Sequence, residues 1–108
     1  MKTPKIFKEI ADISRILFVE AAENYSIFHL KSGSTIVSGY TLKYHLQYLD
    51  MRQFLRVNRS ILVSRDYLEK VESANATSFA VLRNGRSIPI PRRRLKYFQE
   101  KYQSMKMV

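Results

Sequence analysis

No cysteine occurs in this chain of 108 residues. Its absence removes disulfides, thiolate catalysis and zinc-thiolate sites together, and fits a reducing compartment. Glycine and proline are scarce as well, at three each, so long disorder, linkers and low-complexity tracts have no compositional basis. No apolar run approaches the roughly 18 to 20 residues that a membrane-spanning helix needs. The opening stretch MKTPKIFKEIADISR carries Lys8, Glu9, Asp12 and Arg15 where a signal peptide would carry its apolar region. The expected location is therefore the cytoplasm, with no membrane partner.

Catalytic and metal-binding chemistry is also thin. The two histidines, His29 and His45, have neither a cysteine nor a spaced carboxylate cluster beside them, so a metal site is not expected and each reads as a packing or surface histidine. There is no Gly-x-Ser-x-Gly elbow and no glycine-rich nucleotide loop, and Ser60, Ser64 and the few carboxylates form no nucleophile and base arrangement. An enzyme, a cofactor and a small-molecule substrate are all unexpected.

Acidic residues are the last shortage, and the informative one. Nine Asp and Glu stand against 19 Lys and Arg, a formal charge of +10. A field of that size on a small chain attracts polyanions, of which nucleic acid and anionic membranes are the usual ones. The cations are concentrated. Arg83, Arg86, Arg92, Arg93, Arg94 and Lys96 follow one another with no acidic residue between them, and Arg52, Arg56, Arg59 and Arg65 surround the segment Asn58-Arg59-Ser60. Arginine presents a planar fork of donors that pairs with phosphate or with the O6/N7 edge of guanine, whereas lysine is a hydrated point charge.

The length fits one domain over residues 1–108, large enough to bury roughly two thirds of the surface its unfolded form exposes. Period-2 patterning predicts strands at Ile16–Glu20, Tyr25–Lys31 and Thr35–Ser38, with a connection at Ala21–Asn24 and a hairpin turn at Lys31–Ser34 in which Gly33 accepts positive φ. Leu42, Leu46 and Leu49 then recur at helical spacing behind Thr41, an N-cap candidate. Further strands are expected at Phe54–Val57, Ile61–Val63, Tyr67–Glu72, Ser78–Leu82 and Ser87–Ile90. The turns are Ser73–Ala76 and Arg83-Asn84-Gly85-Arg86, the latter carrying the Asn-Gly pair typical of a tight hairpin. From Pro91 onward Leu95, Phe98, Tyr102 and Met105 mark a terminal helix, with proline tolerable at its start. The fold class is mainly β: an antiparallel fold with a short central helix and a C-terminal helix.

Three arginines at the start of that terminal helix point about 100° apart from one another, so at least one faces away from the core. A loop-to-helix junction also offers free backbone N–H groups to an anion. Arg92, Arg93 and Arg94 thus read as an anion-recognition edge.

The segments Phe18-Val-Glu-Ala-Ala-Glu-Asn-Tyr25, Tyr40-Thr-Leu42, Phe54-Leu-Arg-Val-Asn-Arg-Ser-Ile-Leu-Val-Ser64 and Leu82-Arg-Asn-Gly-Arg-Ser-Ile-Pro-Ile-Pro-Arg-Arg-Arg94, in that order and spacing, resemble the LytTR-type DNA-binding domain, usually the output module of bacterial response regulators. The resemblance covers about residues 16–102. It implies an elongated antiparallel β fold that reads duplex DNA from loops, with side chains entering successive major grooves. Base-reading positions implied by it fall on Asn24, Arg59 and Arg93, and phosphate contacts on Ser60, Arg92, Arg94 and Lys96. Arg59 and Arg93 suit guanine and Asn24 suits an adenine edge.

The chain departs from the family pattern in three places. Asn58 stands where His is usual, Val63-Ser64 where Val-Asn is usual, and Pro91 where a Ser commonly precedes the arginines. The last loses a hydroxyl and a backbone N–H, so the preferred DNA sequence is expected to differ. The resemblance also implies two copies on repeated half-sites, with a homodimer on DNA. No receiver domain fits before Ile16, which leaves a stand-alone regulator or a module of a longer protein. The rival reading is an RNA- or polyanion-binding module that reads no sequence, with Tyr25, Tyr40 or Tyr44 stacking on single-stranded bases.

Overall fold

The computed structural model describes residues 13–106; Lys8, Glu9 and Asp12, the residues that argue against a signal peptide, lie outside them. After a single 3-10 turn at Ile13–Arg15, eight strands follow: β1 (Ile16–Ala22), β2 (Tyr25–Leu30), β3 (Thr35–Ser38), β4 (Phe54–Arg56), β5 (Ile61–Ser64), β6 (Leu68–Ala74), β7 (Thr77–Leu82) and β8 (Ser87–Ile90). Helix α1 (Leu42–His45) sits between β3 and β4, and α2 (Arg92–Lys106) closes the domain. The expected strands are all present. The molecule is longer than it is wide, 42 × 31 × 27 Å, and among the described residues no helix is long and apolar enough to cross a membrane.

Every pairing is antiparallel. Five strands form one sheet in the order β3-β2-β1-β5-β4, and three form a second in the order β6-β7-β8. The first sheet is covered on both faces, which explains why its central strands read as continuous apolar runs rather than as strict alternation. One face gives Val19, Phe28, Leu30, Phe54 and Leu62 to a cluster with Leu42 and Leu49. The other gives Phe18, Leu55, Ile61 and Val63 to a cluster with Ala80, Leu82, Ile88 and Ile90 of the second sheet and with Phe98 of α2. Neighbouring residues such as Phe18 and Val19 thus belong to different cores, as the two-residue period of a strand requires.

Thr41 caps α1 as expected: its Oγ1 accepts from the backbone N–H of Tyr44 at 3.2 Å. The helix itself is shorter than the leucine spacing predicts. After Leu46 N–H reaches Leu42 C=O, the next amides turn to the third residue back, Gln47 to Tyr44 and Tyr48 to His45. This tightening into 3-10 geometry still delivers Leu49 to the core.

Left-handed residues shape the hairpin turns, among them those of the second sheet. Gly85 (φ 89°) closes the β7–β8 hairpin, where the Asn84 side chain also accepts from the Arg86 amide. The β6–β7 turn places Asn75 at φ 52° and Ala76 at φ 67°, so it has primed-turn geometry with alanine where glycine would fit without strain.

Candidate nucleic-acid interface

The antiparallel register gathers the loops that carry the candidate residues. Glu20 of β1 pairs with Ile61 of β5, so the end of β1 lies beside the start of β5. The β1–β2 turn, Glu23-Asn24, and the β4–β5 turn, Asn58-Arg59-Ser60, therefore share one edge of the five-stranded sheet. A backbone bond joins them, from Ala21 N–H to Ser60 C=O at 2.8 Å. Ser78 of β7 pairs with Ile90 of β8, which brings the β6–β7 turn to the end where the chain enters α2. Asn58, Ala76, Thr77, Pro91, Arg92 and Leu95 then line one groove of about 470 Å³, which sets the β4–β5 turn against the start of α2.

The residues expected to meet DNA are exposed on this edge. Asn24, Arg59, Ser60, Arg92, Arg93 and Lys96 are all exposed, and Arg94 is half-buried. Asn24 follows Glu23, which holds the left-handed conformation of the turn (φ 55°). Arg59 and Ser60 sit in the second turn, Arg92, Arg93 and Arg94 form the first turn of α2, and Lys96 lies one turn further in. Among the described residues no carboxylate lies within ion-pair distance of Arg59, Arg92, Arg93, Arg94 or Lys96. No acidic residue occupies the first turn of α2. The Arg94 amide bonds back to Pro91 C=O at 2.9 Å, and proline supplies no side-chain cap.

The β4–β5 turn is heavily pinned. Asn58 Oδ1 accepts from the amides of Ser60 (2.7 Å) and Ile61 (2.9 Å). Val57 N–H reaches Ile61 C=O at 2.9 Å and closes the loop. From beneath, Arg56 Nε donates to Asn58 C=O at 3.1 Å and Arg56 Nη2 to Arg59 C=O at 2.6 Å. Partial burial is the first cause that lowers the proton affinity of Arg56 below its ordinary value, and the guanidiniums of Arg94 and Arg59 lower it further. Arg56 is thus where the charge of the β4–β5 turn meets that of α2. Its role is not legible from composition, although an Asn three residues before a strand start is a recognisable Asx-turn signal for the turn it supports.

The two arginine groups in the sequence are not the groups in space. Arg83 and Arg86 sit at the hairpin end of β8, opposite the end that enters α2: Arg83 Nε donates to Asp66 C=O at 2.6 Å, and Arg86 lies 3.8 Å from Glu20 and over the Phe18 ring. Arg52 forks onto Asp50 at 3.0 and 3.1 Å, holding that carboxyl below its usual range, and Arg65 leans toward Asp66. Of these arginines, Arg83 is held by a carbonyl, and among the described residues those of the β4–β5 turn and the start of α2 have no acidic partner.

Neither histidine is placed for metal binding, and the described residues contain no group of three or more potential ligands. His29 Nε2 lies 2.7 Å from Glu20 Oε1 and stacks on Phe18. His45, the last residue of α1, is fully buried with its Nε2 2.7 Å from Ser38 Oγ, and burial holds its pKa down to about 4.

Comparison with known proteins gives a consistent picture. No curated protein matches the chain significantly. Among solved structures, a Bacillus cereus chain described as the LytTr DNA-binding domain of a methyl-accepting/DNA response regulator superimposes with a TM-score of 0.71 over 82% of each chain at 20% identity, which establishes the shared fold. The LytTr DNA-binding domain family matches residues 8–103, nearly the whole sequence, and the chain belongs to that family.

Proposed function

We propose that this domain is the DNA-reading part of a cytoplasmic bacterial transcription regulator of the two-component type, and that it recognises duplex DNA by sequence. Arg59 and Arg93 read guanine edges from adjacent major grooves, and Asn24 reads an adenine. Ser60, Arg92, Arg94 and Lys96 hold the phosphates that set the register. The observation that carries this reading is the convergence of the β4–β5 turn and the first turn of α2 on one edge, with exposed guanidiniums that have no carboxylate partner. Two domains on repeated half-sites would supply the affinity that one set of loops lacks. The domain acts by binding, a reading supported by its membership of a DNA-binding family.

The test is selection of random duplex DNA by the purified domain, followed by titration of the enriched site against a scrambled duplex. Arg93→Ala is expected to cost about 1 to 3 kcal/mol of discrimination, a 5- to 150-fold loss of preference concentrated at one base pair. Unchanged affinity and selectivity would remove Arg93 from the reading set.

A second reading rests on Tyr25 and Tyr40, which are 40% and 50% exposed: a single-stranded or polyanion binder that stacks bases and ignores their sequence. It predicts no enriched motif and an affinity that fades alike for all competitors as salt rises.

A further inference from the structure

We propose that Arg56 is the positioning residue of the interface: it contacts no base, and it fixes the β4–β5 turn so that Arg59 projects at a defined angle. The inference rests on the assignment of Arg59 as a base reader.

Four residues, Val57 to Ser60, separate β4 from β5, and their amides and carbonyls must find partners or be left to water. Asn58 Oδ1 takes the amides of Ser60 and Ile61, and Ala21 N–H supplies the Ser60 carbonyl. The carbonyls of Asn58 and Arg59 remain, and both accept from the one guanidinium of Arg56, at 3.1 and 2.6 Å. These carbonyls flank the Cα of Arg59, so fixing both fixes the backbone torsions from which the Arg59 side chain departs. Only a fork of donors at fixed angles can do this; a lysine ammonium would satisfy one carbonyl at a time and leave the turn free to rock.

Two further observations favour a fixed guanidinium over one that reaches for DNA. Arg56 is half-buried at the end of edge strand β4, in register with the buried Leu62, whereas Arg59 and Arg93 are exposed. Partial burial first, and the like charges of Arg94 and Arg59 second, lower its proton affinity. A charge is kept at such a place when its hydrogen bonds are needed, and here both go to the carbonyls of the turn.

The decisive variants are Arg56→Lys, which keeps the charge and loses the fork, and Arg56→Met, which keeps the apolar stem and covers the case in which a partly buried lysine disturbs folding. Each is compared with wild type and with Arg59→Ala on the enriched and the scrambled duplex across a salt series. Backbone order at Asn58–Ser60 is read by ¹⁵N relaxation on the free domain. The expected result is a preference for the enriched site reduced at least 5-fold, with unchanged affinity for the scrambled duplex and an unchanged salt slope. Combined with Arg59→Ala, the substitution adds no further loss, and the turn amides become more mobile.

A salt slope shallower by about 0.9 would make Arg56 a phosphate contact and overturn the proposal; so would an unaltered preference or an equally rigid turn. If Arg59→Ala leaves the preference intact while Arg56→Lys loosens the turn, the base-reading assignment fails and the backbone role of Arg56 stands.

Discussion

Acidification should weaken the fold through His45, and the size of the effect follows from its surroundings. The ring is fully buried, with the edges of Phe28, Tyr40 and Tyr44 around it at centroid separations of 4.9, 6.0 and 5.8 Å and the Ser38 hydroxyl at 2.7 Å. Charging an imidazole there costs the solvation that burial removes, which is why its pKa falls from the ordinary 6.5 to about 4. Because the folded state has the lower pKa, the unfolded chain binds the proton first as pH falls. The contribution of neutral His45 is complete above the unfolded value of 6.5, declines between 6.5 and 4, and changes no further below that. The gap corresponds to about 2 kcal/mol lost by pH 5 and about 3 kcal/mol in full. Urea unfolding of wild type and His45→Gln at pH 7 and pH 5 measures it, since Gln keeps a polar group for Ser38 and cannot titrate. The difference between the two proteins should shrink by about 2 kcal/mol on acidification, His29 and the carboxylates being common to both. Proton NMR of the two imidazoles gives a second readout. A flat difference between pH 7 and pH 5, or a His45 midpoint near 6.5, would refute the reasoning.

The remaining predictions concern the turns and the basic edge. Ala76 sits at φ 67° in the β6–β7 turn, so Ala76→Gly should relieve left-handed strain and raise the urea-unfolding free energy by about 0.5 to 1 kcal/mol, the gain being limited by the freer unfolded chain; a loss would mean that the alanine methyl contributes packing in the groove it lines. Arg92→Ala should weaken enriched and scrambled duplexes by the same factor and reduce the slope of log affinity against log salt by about 0.9, in contrast to the base-specific loss at Arg93; a salt titration by fluorescence anisotropy separates the two.

Much of the fold is legible in the sequence because each signal is local. The strands alternate or run apolar, Gly33 and Gly85 mark turns whose positive φ the structure retains, Thr41 caps the helix it precedes, and α2 begins one residue after Pro91. Errors arise where tertiary contacts decide. The leucine spacing from Leu42 to Leu49 predicts two turns of α-helix, yet the chain keeps one and tightens, because Leu49 need only reach the core formed with Phe54 and Leu62. Proximity in sequence likewise misleads for charge. Arg86 and Arg92 are separated mainly by β8, a strand, and a strand carries its ends apart; Arg86 serves Glu20 and Phe18 while Arg92 faces the groove. Arg56 and Arg94 are far apart in sequence, yet each feels the other's charge because α2 packs against the edge strand β4.

That division has a consequence for how a fold of this kind changes what it reads. The two cores use residues on the interior of the strands, and none of Asn24, Arg59, Arg92 or Arg93 contributes to either. On the proposed reading, the side chains that meet bases depend instead on a few turn residues: Asn58, which caps the β4–β5 turn, Arg56, which braces it, and Pro91, which leads into α2 without a side-chain cap. Two of those three, Asn58 and Pro91, are places where the sequence leaves the family pattern. A histidine at position 58 could not offer one short acceptor to the amides of both Ser60 and Ile61 in the way an Asx oxygen does. If Arg59 and Arg93 read bases as proposed, substitution at such positions should re-aim them at little cost to stability, because the strand registers that hold the turns together are untouched. Sequence preference would then drift by a change in the support of a reading residue while that residue itself stays the same.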